Sequence, residues 1–97
     1  MAVQFSADAR RDLVDIARFI AEDSPHAAET FTAKLVVACE ALGHYPERYP
    51  LLDRYSALGY RRRPFQNYVI IYVASESEVQ VVRVLSTWVD LETTLED

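Results

Sequence analysis

Residues 6–43, SADARRDLVDIARFIAEDSPHAAETFTAKLVVACEALG, decide the fold. Ser6 is an N-cap candidate, and Asp8 follows in the first turn, beside the positive end of a helix dipole. Ala9, Leu13, Ile16, Ala17 and Ile20 then recur at helical spacing and form one apolar stripe. Arg11, Asp12, Asp15, Arg18 and Glu22 take the other side. The spacing predicts a helix from about residue 7 to about residue 22. Asp23-Ser24-Pro25 interrupts it, and Ser24 followed by Pro25 restarts it as a cap with proline at the first helical position. The second helix places Ala28, Phe31, Leu35, Ala38 and Leu42 on one stripe. Gly43 ends it where a left-handed residue is wanted. So short a link between two amphipathic helices implies an antiparallel helical hairpin. Its expected core contacts are Leu13, Ile16, Ile20, Phe31, Leu35 and Leu42, packed against a sheet.

The sheet is read from what flanks the hairpin. Residues 2–5 alternate like a short strand. Residues 44–58, HYPERYPLLDRYSAL, form an irregular connector, because Pro46 and Pro50 forbid a regular helix. Tyr45, Tyr49, Leu51 and Leu52 should tie that connector to the core. Residues 60–65 can be a strand, with Pro64 placing it at an edge or near its end. Gln66-Asn67 is a turn candidate. Residues 68–73 are apolar on both faces, as a central strand requires, and residues 79–85 make a further strand. Thr87 before Trp88, with Asp90 three residues on, starts a short helix whose apolar face is Trp88, Leu91 and Leu95. The expected order is β-α-α-β-β-β-α. This is an α+β domain with an antiparallel sheet of about four strands, the N-terminal hairpin packed on it, and a short C-terminal helix.

The whole chain of 97 residues fits one domain. It has no basic n-region followed by an apolar run, so no signal peptide is expected. No stretch approaches the roughly 18 apolar residues that cross a bilayer. Cys39 is the only cysteine, which excludes an internal disulfide and a multi-cysteine zinc site. No metal or cofactor is expected, and the expected compartment is the cytoplasm. The net charge is −5 but uneven. Residues 1–44 carry four basic and seven acidic groups, residues 45–83 six and four, and residues 84–97 none and four. An acidic chain gains little from counterion release, which argues against direct nucleic-acid binding except through the basic middle.

Arg61, Arg62 and Arg63 lie in that middle. In a strand, Arg61 and Arg63 share one face and Arg62 takes the other. Three adjacent guanidiniums suit phosphates or a carboxylate-rich partner segment; the plainer reading is an edge strand protected by charge. Arg83 sits among Val79, Val81, Val82, Val84 and Leu85, so it is either functional or paired with an acid such as Glu76 or Asp90. His26 and His44 fall at the two ends of the second helix and are read as surface residues. Cys39 lies beside the helix stripe and is read as packing, and Lys34, the only lysine, lies on that helix away from the sheet. The six tyrosines fit either core packing or an interface. No Ser/His/Asp set, paired-histidine motif or glycine-rich phosphate loop is visible, so no catalytic residue is assigned.

In this order, FSADARRDLVDIARFIAEDSPHAAETF, ALGHYPERYPLLD and GYRRRPFQNYVIIYVASESEVQVVRVLSTWVDLETTL resemble the ParE branch of the RelE/ParE superfamily of bacterial type II toxins. The stretches Tyr68-Val69-Ile70-Ile71-Tyr72 and Val82-Arg83-Val84-Leu85 are the most family-like. The resemblance implies a toxin held inactive in a hetero-oligomer by a ParD-like antitoxin, whose disordered C-terminal segment folds onto it. It implies inhibition of DNA gyrase for the ParE branch. For the RelE branch it implies cleavage of messenger RNA on the ribosome, here by Arg61, Arg63 and Arg83. Many members carry a histidine where this chain has Ser86, and an arginine where it has Val89. Neither Ser86 nor Thr87 is a credible general acid near neutral pH, which weighs against the nuclease. A toxin that has decayed to antitoxin binding alone is the third expectation. Arg61, Arg62, Arg63 and Arg83 are the expected partner-binding residues.

Overall fold

The computed structural model describes residues 1–87. Strand β1 (Ala2–Phe5) leads into helix α1 (Ala7–Ala21). Ser6 caps it as expected, its hydroxyl accepting from the Ala9 N–H at 3.0 Å. Helix α2 (Pro25–Glu40) starts at the Ser24 cap, with Pro25 in its first turn. A single 3-10 turn (Ala41–Gly43) extends it. Two more 3-10 segments, Pro46–Arg48 and Asp53–Leu58, shape the connector. Strands β2 (Arg61–Phe65), β3 (Tyr68–Ala74) and β4 (Glu78–Ser86) follow. The helix expected around Trp88, Leu91 and Leu95 lies outside the described residues.

The four strands form one open sheet in the order β1-β4-β3-β2. The β2–β3 and β3–β4 pairs are antiparallel, as expected. The β1–β4 pair is parallel, from Ala2 opposite Glu78 to Phe5 opposite Val81, so the sheet is mixed rather than wholly antiparallel. The reason is topological. Alternation marks a strand but not its direction, and the long route from β1 through the hairpin back to β4 is the kind of crossover that parallel neighbours need.

The hairpin covers one face of the sheet. Ile16, Leu35, Cys39 and Leu42 are buried there against Ile70, Tyr72, Val79, Val81 and Val84, while Leu13, Ile20 and Phe31 pack partly buried at the margin. The other face buries Val69, Ile71 and Leu85 beside Leu52, Tyr60 and Val82. Strand β3 is thus apolar on both faces because it is interior and covered twice. On the outer side of β2, Leu52 N–H donates to Tyr60 O (2.8 Å) and Arg62 N–H to Pro50 O (3.1 Å), so the connector lies along that edge. Pro64, further along β2, has no N–H to offer.

Two backbone details depart from the sequence reading. Gly43 does not adopt a left-handed conformation. It is required because a Cβ there would lie 2.2 Å from the Met1 carbonyl oxygen, where the chain crosses β1. The left-handed residue is Tyr45, at φ 54°. Strand β4 also carries a bulge. Ile71 faces Arg83 while Tyr72 faces Val81, which leaves Val82 as the extra residue. The bulge resets the alternation, so that Val84 rather than residue 83 joins Val79 and Val81 in the core under the hairpin.

Candidate partner-binding site

Arg83 is held at the bulge. Its Nε donates to Asp12 Oδ2 at 2.8 Å and its Nη2 to Asp12 Oδ1 at 3.0 Å. The same Oδ2 accepts from the Val84 N–H at 2.9 Å. This N–H points outward, beyond the point where β1 ends, and Asp12 replaces the missing strand partner. The two side chains are 25% and 13% exposed. The hydrogen bond to Asp12 raises the Arg83 pKa further above its usual range, although burial works against it. Arg83 is therefore paired, but with Asp12 of α1 rather than with Glu76, and Asp90 lies outside the described residues. Asp12 was assigned to the polar side of its helix. A signal for its role was present: it lies three residues after Ala9 and four before Ile16, at the edge of the buried stripe.

The arginines of β2 do not form one cluster. Arg61 and Arg63 share a face and Arg62 takes the other, as the alternation requires. Arg61 Nη1 donates to Tyr49 O (2.7 Å) and Glu47 O (3.3 Å). Arg63 Nη1 donates to Ala38 O (2.5 Å), near the end of α2. The guanidiniums of Arg63 and Arg48 each lie 5.2 Å from the centroid of the Tyr49 ring. The Tyr72 hydroxyl, raised in pKa by burial, donates to Pro46 O. Two of the three arginines are thus half-buried, Arg61 tying the connector to β2 and Arg63 tying β2 to the end of α2. Only Arg62 is exposed. A three-arginine run suggests an exposed patch, because side-chain type does not reveal which backbone carbonyls lack partners.

Two of the grooves among the described residues border α1. A groove of about 750 Å³ runs along the outer side of the hairpin, between Ala17 and Ala21 of α1 and Ala28, Thr32 and Val36 of α2, with Arg18 and Glu29 on its rims. Thr32 Oγ1 is buried there with no hydrogen-bond partner among the described residues. A smaller groove separates α1 from β4, floored by Ile16 and Val84 and edged by Asp12, Asp15 and Phe19; Phe19 is exposed. Among the described residues no strand pairs with the outer edge of β4 over residues 82–86.

The nucleophile and acid/base candidates are poorly placed. Burial pushes the Cys39 thiol up to about 12, and His26 and His44 are exposed at opposite ends of α2. Among the described residues no group of His, Cys, Asp and Glu is arranged to hold a metal ion, and no helix is long and apolar enough to cross a membrane.

Residues 3–88 match the family model of the ParE toxin of the type II toxin–antitoxin system, parDE. No curated protein sequence matches the chain. A solved structure of a chromosomal ParDE toxin–antitoxin system from P. aeruginosa superposes with a TM-score of 0.74 at 16% identity, covering 89% of this chain and 95% of that one. At that identity the likeness is one of fold.

Proposed function

This chain belongs to the ParE toxin family of type II toxin–antitoxin systems, and we propose that a cognate, ParD-like antitoxin neutralises it and that, when free, it inhibits DNA gyrase in the cytoplasm by binding rather than by catalysis. The solved ParDE system to which it is similar in fold supports the antitoxin half of this reading. The observation that weighs against catalysis is the Asp12–Arg83 pair. In the nuclease reading Arg83 would have to stabilise charge at a scissile phosphate. Here both of its donating edges that reach Asp12 are engaged by a carboxylate, and the neighbouring Ser86 and Thr87 supply no general acid.

The antitoxin segment is proposed to enter the outer hairpin groove as an amphipathic helix. The alanines there permit close approach of a third helix, and the buried Thr32 hydroxyl offers a hydrogen bond. Of the four arginines only Arg62 is exposed, and it lies on the sheet face away from the hairpin, so the antitoxin carboxylates proposed to meet it belong to a stretch outside the groove helix. Arg61, Arg63 and Arg83 contribute by holding the connector and the bulge in place.

The test uses purified toxin in two assays. Gyrase supercoiling should be inhibited, and stoichiometric antitoxin should restore it. Ribosome-bound message should remain intact. Specific cleavage of that message, lost in Arg83→Ala, would replace this reading with the endoribonuclease. Antitoxin binding with neither effect would mark a toxin reduced to its partner contact.

A further inference from the structure

Among the described non-glycine residues, Tyr45 and Gln66 have positive φ. Gln66 sits in the two-residue turn between β2 and β3, where such a conformation is ordinary. Tyr45 does not belong to a hairpin turn. Its backbone is at φ 54°, ψ 62°, a region that costs a residue with a Cβ roughly 1–2 kcal/mol. Packing does not repay this, because the side chain is 81% exposed. An aromatic that is both strained and exposed needs another explanation.

The surroundings hold it in that state. On the chain before it, Gly43 is buried against the Met1 carbonyl. After it, Pro46 O is bonded by the buried Tyr72 hydroxyl, and Glu47 O and Tyr49 O by Arg61. Arg48 N–H closes the turn onto Tyr45 O at 3.0 Å, and the Arg48 guanidinium stacks on Tyr49. The backbone that carries Tyr45 and Arg48 is therefore a fixed turn, and a partner would spend little entropy ordering it. Tyrosine and arginine are also the side chains that most often dominate binding energy.

We propose that the turn from His44 to Arg48 is the surface that engages the toxin's protein target, with Tyr45 as the anchor in an apolar pocket and Arg48 meeting a carboxylate at its rim. This deepens the reading of the chain as a toxin that acts by binding. Arg48, backed by the half-buried Arg61 and Arg63, outweighs Glu47, so the local field favours an acidic partner surface. A nucleic-acid backbone is a poorer fit, since the whole chain carries −5 and the turn offers one exposed guanidinium. The turn follows the C-terminal end of α2, while the groove proposed for the antitoxin reaches the N-terminal end. That groove is lined along α2 from Pro25 to Val36, and none of residues 44–48 lines it, so the two surfaces are separable.

Tyr45→Gly tests this, because glycine accepts the left-handed backbone without strain. The variant should fold and should bind antitoxin with unchanged Kd. Its growth arrest on induction and its inhibition of supercoiling should each fall at least tenfold, and Arg48→Ala should weaken both in the same direction. Wild-type arrest by Tyr45→Gly would overturn the proposal. Equal loss of antitoxin binding would also overturn it, by assigning the turn to the antitoxin. If Tyr45→Gly loses growth arrest while wild-type toxin leaves supercoiling untouched, the surface stands and the gyrase reading falls.

Discussion

Replacing Asp12 with Ala removes three hydrogen bonds at once: two from the Arg83 guanidinium and one from the Val84 N–H. What remains is a three-quarters buried guanidinium that has lost its bonded carboxylate and keeps the weaker pull of Asp8, and an outward backbone donor with no strand beside it among the described residues. Breaking a fully buried ion pair by removing one partner costs ~3–5 kcal/mol, and hydrogen bonds to charged groups contribute ~1.5–3 kcal/mol. Arg83 keeps 25% exposure and can recover some solvation, so the expected loss is about 2–4 kcal/mol. For a domain of this size that lowers Tm by roughly 10–30 °C. Thermal and urea melts of Asp12→Ala, Arg83→Met and the double variant give the coupling. The double variant should be at least ~1 kcal/mol more stable than the sum of the single losses implies, because it leaves no uncompensated charge. Strict additivity, or an Asp12→Ala melt within about 2 °C of wild type, would refute the account of the bulge as a site closed by a carboxylate.

Gly43→Ala should displace β1 or shift the turn after α2, with a loss of stability and faster amide exchange in β1, because the new methyl meets a backbone oxygen that has no flexible end to yield. Arg63→Ala should destabilise by about 1–3 kcal/mol, since it frees Ala38 O and uncovers one face of Tyr49; exposed Arg62→Ala should stay within ~0.5 kcal/mol of wild type. For Cys39 the sign follows from a thiol raised from 9.0 to about 12 by burial. Between those values the unfolded chain has released the proton and the folded chain has not, so stability falls as pH rises through that window. Cys39→Ala should flatten the decline in urea melts, and thiol reagents should label the wild type near neutral pH only as fast as it opens.

The hairpin was legible because its signals are local. Caps at Ser6 and Ser24, proline at the helix start and a 3.6-residue stripe each act within a few positions. The central place of β3 was legible from its double-sided apolarity. The direction of β1 was not, because four alternating residues look the same read either way. The bulge was hidden for a related reason. A run as apolar as VVRVL has no polar phase to reveal a slipped register, and only Arg83, displaced from the position a regular strand would give it, carries the trace. The roles of Arg61 and Arg63 were not legible, because their acceptors are carbonyls of Tyr49, Glu47 and Ala38 brought near by tertiary folding. Tyr45, expected to tie the connector to the core, is instead exposed, and nothing local betrays its left-handed backbone, since glycine, not tyrosine, marks such a position.

The parallel pairing of β1 with β4 joins residues far apart in the chain. The Ser6 hydroxyl meets Val82 O across 76 positions, and Asp12 meets Val84 across 72. During synthesis, at about 5–20 residues per second, roughly 4–15 s separate the appearance of the first strand from that of β4, its neighbour in the sheet. Until β3 and then β4 appear, the hairpin exists without the face it is built to cover, its Leu35 and Ile16 side open to water. Helices form in microseconds, so the nascent chain presents an apolar two-helix unit well before any toxin surface that depends on β4 is assembled. Completion of the domain is therefore timed by the ribosome, and the bulge with its Asp12 closure is among the last contacts to form.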